Sequence, residues 1–351
     1  MLVSEFDYDL PEELIAQTPS EKRDFSRMLY LNRKNQTIEH KHFYDIVDCI
    51  DKNSILVLNN TKVLPARIYA KKDTGANIEV FLLKMADTSN KHIWEVLLKP
   101  AKRVKPDIVL KVSEELSVKI IKELPDNGKW LVELIFEGDD VLSVLHRNGN
   151  IPLPPYIERQ MSNDELRSLD FERYQTVYAK DEASVAAPTA GLHFTKEILK
   201  KLEDKGVKIA YVTLNVGLGT FRPVKCENVL DHKMDSEIFE ISESTAKAIN
   251  EAKAEGRKLV AVGTTTVRTL ETAFKQFGEI KPCHSHSELF IYPPYEFKVV
   301  DELITNFHLP KSTLVMLVSA FAGKDFVFKA YEEAIKERYR FYSYGDCMFI
   351  R

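Results

Sequence analysis

Four stretches of the chain combine residue types that can do chemistry with a pattern that would present them at the mouth of a helix or the end of a strand. In SVAAPTAGLHFTKEILKKL (Ser184 to Leu202), His193 stands just before a helix that Thr195 would cap and whose first turn Glu197 would favour. Free backbone N–H groups and the positive dipole end make that mouth a place for anions. Gly191 and the small residues around it would let a backbone come close to a ligand, with packing and capping as the competing reading of His193. In Gly217-Leu218-Gly219-Thr220-Phe221-Arg222-Pro223 the glycines allow close backbone approach, and Arg222 could hold a carboxylate or phosphate. The pattern is not the dinucleotide fingerprint, so a tight strand exit competes with it. In Gly263-Thr264-Thr265-Thr266-Val267-Arg268 a strand turns into a helix, and Arg268 near that helix start calls for a compensating anion. Either Glu271, three residues on, or a bound ligand could supply it. Thr305-Asn306-Phe307-His308-Leu309-Pro310-Lys311-Ser312 puts an amide, a titratable ring and a cation close together, with Ser312 as a helix cap. A buried structural histidine is the alternative for His308.

Three further groups carry weaker signals. Cys283-His284-Ser285-His286-Ser287-Glu288 would point two imidazoles the same way on a strand, but no second ligand cluster accompanies it, so a polar loop or edge strand is favoured over a metal. Lys99, Lys102, Arg103 and Lys105 form a basic loop. Arg338-Tyr339-Arg340-Phe341-Tyr342-Ser343-Tyr344 mixes cations and aromatics as RNA contacts do, and as packed segments also do.

The elements that must position these residues fall into two kinds. ARIYAKK, NIEVFLLK, HIWEVLLK, DIVLKV, LSVKIIKEL and KWLVELIF are short, β-branched and partly alternating, and predict a small all-β barrel or sandwich over residues 66–149. IPLPPYIE then ends the strands. Beyond it, KEILKKLEDKG, VKIAYVTLNV, STAKAINEAKAEG, KLVAV and TVRTLETAFKQF alternate helix and strand, the grammar of an α/β domain. Earlier, Arg27 to Asn32, Thr37 to Phe43 and Ser54 to Leu58 read as strands. The economical expectation is an α/β domain made of residues 1–65 and 150–351, with the β module inserted between them. Three of the four candidate loops follow strands of the α/β part, where ligands of open sheets bind.

Composition sets the class. The 351 residues are 44% hydrophobic and 29% charged with a net charge of −4, a soluble globular balance without a blanket grip on nucleic acid. The first residues show no secretory signal, and the most apolar run, Leu314 to Ala322, is too short to span a bilayer. Cys49, Cys226, Cys283 and Cys347 lie far apart, which suits reduced thiols and a cytoplasmic location. A monomer is the default expectation.

The chain resembles the S-adenosylmethionine:tRNA ribosyltransferase-isomerases of queuosine biosynthesis. The resemblance runs through FDYDLPEELIAQ, RDFSRML, LVLNNTKVLPAR, PLPPYI, RYQTVYAK, SVAAPTAGLHFT, GTFRPV, VGTTTVRTLE, FIYPPYEF, LITNFHLPKSTLVMLVSAFAGKDF and YRFYSYGDCMFI. It implies a β-barrel-like domain inserted in a larger α/β domain. It implies transfer and isomerisation of the ribosyl part of S-adenosylmethionine onto a 7-aminomethyl-7-deazaguanine base in the tRNA anticodon, giving epoxyqueuosine and releasing adenine and methionine, with no metal. For that chemistry His193 and His308 are the first candidates for proton transfer. Arg222, Arg268 and Lys311 are candidates for holding the methionine carboxylate or tRNA phosphates. Thr264, Thr265 and Asn306 could orient adenosine, with Thr195, Gly217 and Gly219 shaping the donor site. The chain departs from the resemblance where Asn215 and Asp235 replace expected histidines, Ala183 an expected glycine, and Ser287-Glu288 an expected Thr-Asp. Asn215 exchanges no proton and Asp235 reverses a charge, which keeps two alternatives open. One is a relative that donates the ribosyl group to another acceptor, the other a catalytically silent tRNA-binding relative.

Overall fold

Every residue of the strand Ser54–Asn59 is buried, and its apolar side chains alternate between two cores. Ile55 and Val57 join one cluster; Leu56 and Leu58 join the other. That alternation demands helices on both faces, because successive strand residues point to opposite sides. The computed structural model, which describes residues 1–86, 90–125, 128–138, 140–159, 164–217 and 224–351, supplies them.

The chain begins with β1 (Arg27–Asn32), β2 (Thr37–His42), the short helix α1 (Ile46–Cys49), β3 (Ser54–Asn59) and the two-residue β4 (Lys62–Val63). Next come β5 (Arg67–Lys71), β6 (Asn77–Met85), β7 (Ile93–Lys99), β8 (Val109–Lys111), β9 (Ser117–Glu123) and β10 (Lys129–Ile135). Helices α2 (Val141–Asn148) and α3 (Asp164–Arg173) precede β11 (Glu182–Ser184), α4 (Lys196–Lys205), β12 (Lys208–Leu214) and β13 (Glu237–Ile241). The rest is α5 (Glu243–Ala254), β14 (Lys258–Val262), α6 (Thr264–Phe277), β15 (Cys283–Ser287), β16 (Glu302–Asn306), α7 (Thr313–Ala322), α8 (Lys324–Lys336) and β17 (Cys347–Ile350).

Nine strands form one mixed sheet in the order β15-β13-β12-β3-β14-β16-β17-β1-β2. Its centre, β12-β3-β14-β16, is parallel, and β17 enters antiparallel to β16. One face is covered by α5, α6, α7 and α8, the other by α1 and α4. Helix α4 is bounded as its sequence directs: the Thr195 hydroxyl accepts from Ile198 N–H at 3.2 Å, and Gly206 closes it at φ 104°. The histidine-bearing β15 is an edge strand, with His284 and His286 exposed. The apolar run after Ser312 is helix α7, capped where Ser312 accepts from Val315 N–H at 3.2 Å.

Strands β5 to β10 close a barrel in the order β10-β7-β6-β5-β8-β9, every pair antiparallel, so none of its strands is left as an edge. Its own core includes Ile68, Val80, Val96, Ile120 and Val132, with α2 packed against it through Val144 and Leu145. The chain enters and leaves the barrel at a single crossing. Arg67 and Asn150 exchange backbone hydrogen bonds at 3.1 and 2.8 Å, and a Cβ on Gly149 would lie 2.0 Å from the Pro65 carbonyl oxygen. Only glycine fits there. Gly149→Ala is expected to cost about 1–3 kcal/mol through overpacking, read as a lowered urea midpoint; an unchanged midpoint would show that the crossing can open without penalty.

Candidate functional site

The carboxyl ends of β3, β14 and β16 lie at one end of the sheet, and the chain between Ala187 and Ala190 runs past them. A cleft forms there, walled by Ala187, Pro188, Thr189 and Ala190, by Val216, by Gly263, Thr264 and Thr265, and by Thr305 to Leu309. Tyr156, Leu314, Tyr342 and Ser343 complete it. Among the described residues the wall carries no formally charged side chain, apart from a titratable imidazole at His308. Two tyrosine rings, Tyr156 and Tyr342, face each other at 4.7 Å between centroids.

The structure brings Thr264, Thr265, Asn306 and His308 together in this cleft. Thr264 opens α6 after Gly263, which takes φ 84° and offers no side-chain cap, so among the described residues the first N–H groups of a long helix have no side-chain partner. Thr265 Oγ1 receives a hydrogen bond from Asn59 Nδ2 at 3.3 Å. His308 Nε2 lies 2.8 Å from Thr305 Oγ1, and its backbone N–H donates to the Tyr331 hydroxyl at 3.0 Å.

His193 sits one layer behind. The 3-10 turn Thr189–His193 carries it under the sheet end, 4% exposed, where Nε2 is 3.3 Å from Asn306 Oδ1 and Nδ1 is 2.6 Å from Ser26 Oγ. The amide orientation follows from the network: Asn306 Nδ2 donates to the Tyr342 carbonyl at 2.9 Å, which turns Oδ1 toward the histidine. His193 therefore donates from Nε2, while its Nδ1 lies against the Ser26 hydroxyl, which also has the Arg23 carbonyl at 2.8 Å. Burial pushes the His193 pKa down to about 4, against the raising effect of its bond to Asn306. Burial alone takes His308 down to about 3. The expectation of imidazoles titrating near neutrality is thus corrected: desolvation keeps both rings uncharged at pH 7.

Arg268 is also placed differently from expectation. It is 4% exposed; its guanidinium forms an ion pair with Glu237 and donates to the Leu289 carbonyl at 3.2 Å. Glu237 in turn accepts from Gly217 N–H at 2.8 Å, so the pair fixes the exit of β12. Glu271, the acid expected to compensate Arg268, instead accepts from the backbone N–H groups of Lys298, Val299 and Val300. Lys311, at φ 56°, pairs its ammonium with Asp7 at 2.6 Å, and Thr195 caps α4 away from the cleft. Gly219 and Arg222 lie outside the described residues.

A second cleft lies beyond Val216, between the barrel and the sheet. Leu83, Lys84, Glu95, Leu97 and Lys129 face Ala183, Val185, Asn215, Gly217 and the segment Asp235 to Ile238. The two positions that depart from expected histidines thus share one wall. Asn215 is held there by the Thr61 hydroxyl, which donates to Oδ1 at 3.2 Å.

Tyr156, Tyr342 and Ser26 were not singled out as site residues by sequence reasoning. Tyr342 adopts φ 72° in a turn where Gly345 N–H donates to the Tyr342 carbonyl and the Asp346 carboxylate accepts from the N–H groups of Arg27 and Arg340. The C-terminal basic and aromatic group is accordingly a packed segment, with Tyr339, Phe341 and Tyr344 buried. Gly191 also receives a different explanation. It is absent from the cleft wall, and a Cβ there would lie 2.1 Å from the Tyr178 hydroxyl.

The comparisons with known proteins agree with this architecture. Residues 3–350 match the family described as queuosine biosynthesis protein. This chain belongs to that family. Curated relatives named S-adenosylmethionine:tRNA ribosyltransferase-isomerase include proteins of Sulfurihydrogenibium sp. (52% identical) and Thermotoga petrophila (51% identical), each match covering 100% of both chains. The crystal structure of S-adenosylmethionine tRNA ribosyltransferase from Thermotoga maritima is similar at a TM-score of 0.56 and 40% identity, covering 99% of this chain and 100% of that one.

Two outcomes are expected. Because the folded pKa values of His193 and His308 lie below the unfolded value, the unfolded chain takes up protons that the folded one refuses. Their contribution is fully present above about pH 6.5 and is lost as pH falls toward 4 and 3. Urea unfolding from pH 7 to pH 4 should lose less stability in His193→Gln and His308→Gln than in the parent; equal slopes would contradict the assignment. Gly191→Ala should lower the midpoint and Tyr178→Phe in the same chain should restore part of it, whereas no restoration would place the clash elsewhere.

Proposed function

We propose that this protein transfers and isomerises the ribosyl moiety of S-adenosylmethionine onto 7-aminomethyl-7-deazaguanine in a tRNA anticodon, forming epoxyqueuosine and releasing adenine and methionine in the cytoplasm. Family membership over nearly the whole chain carries this reading. The cleft at the sheet end supports it, because its described walls include two tyrosine rings, against which a cationic sulfonium sits well.

In this reading the donor lies in the first cleft. The open N-terminus of α6 at Thr264 and Thr265 takes the methionine carboxylate, with helix N–H groups doing what a cationic side chain would otherwise do. Tyr156 and Tyr342 flank the cationic and heteroaromatic parts. The sulfonium acidifies the ribose C5′, and His308, which lines the same cleft, is the candidate to accept a proton there. Asn306 offers its amide to the sugar or the departing adenine, held in one orientation by His193 and Tyr342. Arg268 orders the wall between the two clefts through Glu237 and Gly217 rather than touching the donor. Arg222 and Lys311 remain candidates for tRNA phosphates, and Gly219 for the donor side. The acceptor base approaches the donor through the mouth of the first cleft, and the second cleft, adjoining it at Val216, flanks that approach.

The deciding test is one reaction of purified protein, S-adenosylmethionine and tRNA carrying the aminomethyl-deazaguanine base, followed by mass spectrometry. Adenine and epoxyqueuosine appearing only with that tRNA are expected. Adenine release with a free base and no tRNA would favour a different acceptor. tRNA binding without either product would favour a silent relative. Within this assay His308→Ala should lose about 10²–10⁴-fold in kcat. His193→Gln, which keeps a neutral donor toward Asn306, should stay within about tenfold of the parent; a loss as large as that of His308→Ala would give His193 a direct catalytic role instead.

A further inference from the structure

Among the described residues, two aromatic side chains stand conspicuously open to solvent, Phe25 at 53% and Tyr44 at 43% exposure. They are neighbours. Their rings meet edge to face at 5.6 Å, and the His42 imidazole stacks on Tyr44 at 5.0 Å with the planes 6° apart. Lys22 holds its ammonium 4.8 Å from the centre of the Phe25 ring and makes no ion pair among the described residues. Asp45 is turned away to accept from the His42 N–H at 2.9 Å, while Glu21 and Asp24 flank Lys22 and Phe25 in sequence. Exposing two such rings opposes the hydrophobic effect, and nothing among the described residues covers them.

Their place in the fold is not arbitrary. β1 begins at Arg27 and pairs with His42 at the end of β2, so Phe25, His42 and Tyr44 lie at the same end of the sheet as the first cleft. From Asn306 the path crosses Cys347 on β17, Met28 on β1 and Lys41 on β2. Three strand spacings put the aromatic cluster roughly 14 Å from the cleft, on the side away from the barrel. Ser26, next to Phe25, is the residue that bonds His193.

We infer that Phe25 and Tyr44, with His42 and Lys22, form a stacking platform for an unpaired base of the substrate's anticodon loop, a nucleotide neighbouring the one being modified. This rests on the tRNA reading above and adds a contact to it. Exposed aromatic faces with an adjacent cation are what single-stranded RNA uses: bases stack on the rings and the backbone meets the charge. A loop whose modified base enters the cleft must lay its neighbours along this end of the sheet, and the platform is the aromatic surface there.

The test uses the full chain and the precursor tRNA, with a fluorescent purine placed at successive loop positions. Binding to the parent protein is expected to quench one position. In the double variant Phe25→Ala/Tyr44→Ala that quenching should disappear, and the tRNA Kd and KM should rise about 5- to 150-fold with kcat at saturating tRNA unchanged. Phe25→Trp should retain both. Unchanged Kd and quenching in the double variant would overturn the platform, as would full recovery by Phe25→Leu/Tyr44→Leu, since that would mark an apolar protein-docking surface. A loss confined to kcat would overturn it too. If the parent protein shows no turnover, the proposed activity fails, and the binding and quenching arms still decide the platform.

Discussion

Asn306 carries an amide that can face only one way. Its nitrogen is taken by the Tyr342 carbonyl and its oxygen by His193, whose other nitrogen is taken by Ser26. Four separate pieces of chain meet in this line: the turn before β1, the 3-10 turn after Pro188, the end of β16 and the loop before β17. A buried polar line of this kind is costly unless every member is satisfied, and removing one leaves its neighbours unpaired in a low dielectric. The walls of the cleft are therefore held by hydrogen bonds that join the end of β16 to the turn before β1.

The same logic explains the buried ion pair of Arg268 and Glu237. Arg268 and Glu237 are 4% and 5% exposed at their side chains, and the carboxylate also binds the Gly217 backbone. A pair this deep adds little net stability compared with an apolar contact, but losing one partner strands a charge. Its evident product is position: it fixes the strand exit that separates the two clefts.

Much of the scaffold was legible because its signals are local. The short alternating strands of the barrel, the Thr195 cap with Gly206 three turns on, and the strand-to-helix turn at Gly263 each express themselves within a few residues. The site was legible only in part. His308, Asn306, Thr264 and Thr265 meet in the candidate cleft, as their place after strands suggests. The partners did not, because they are distant in the chain: Ser26 lies 167 positions from His193, and Glu237 displaces the nearer Glu271 as the partner of Arg268. Gly191 misled for the same reason. It was read as room for a ligand, and the room is filled by Tyr178.

The pairing pattern also sets an order of assembly. Each barrel strand finds its partners between Arg67 and Ile135, whereas β3, at the heart of the sheet, waits for Lys208–Val212 on one side and Lys258–Ala261 on the other. Local pairings close quickly and distant ones slowly, since the loop between partners must first be brought together. A ribosome delivering this chain would release a foldable barrel while the buried face of β3 still has no neighbour. The crossing at Gly149 then acts as a clasp: once shut, it holds the two chain ends of the finished barrel side by side, and the long wait of β3 for its partners begins from a fixed point rather than from a loose coil.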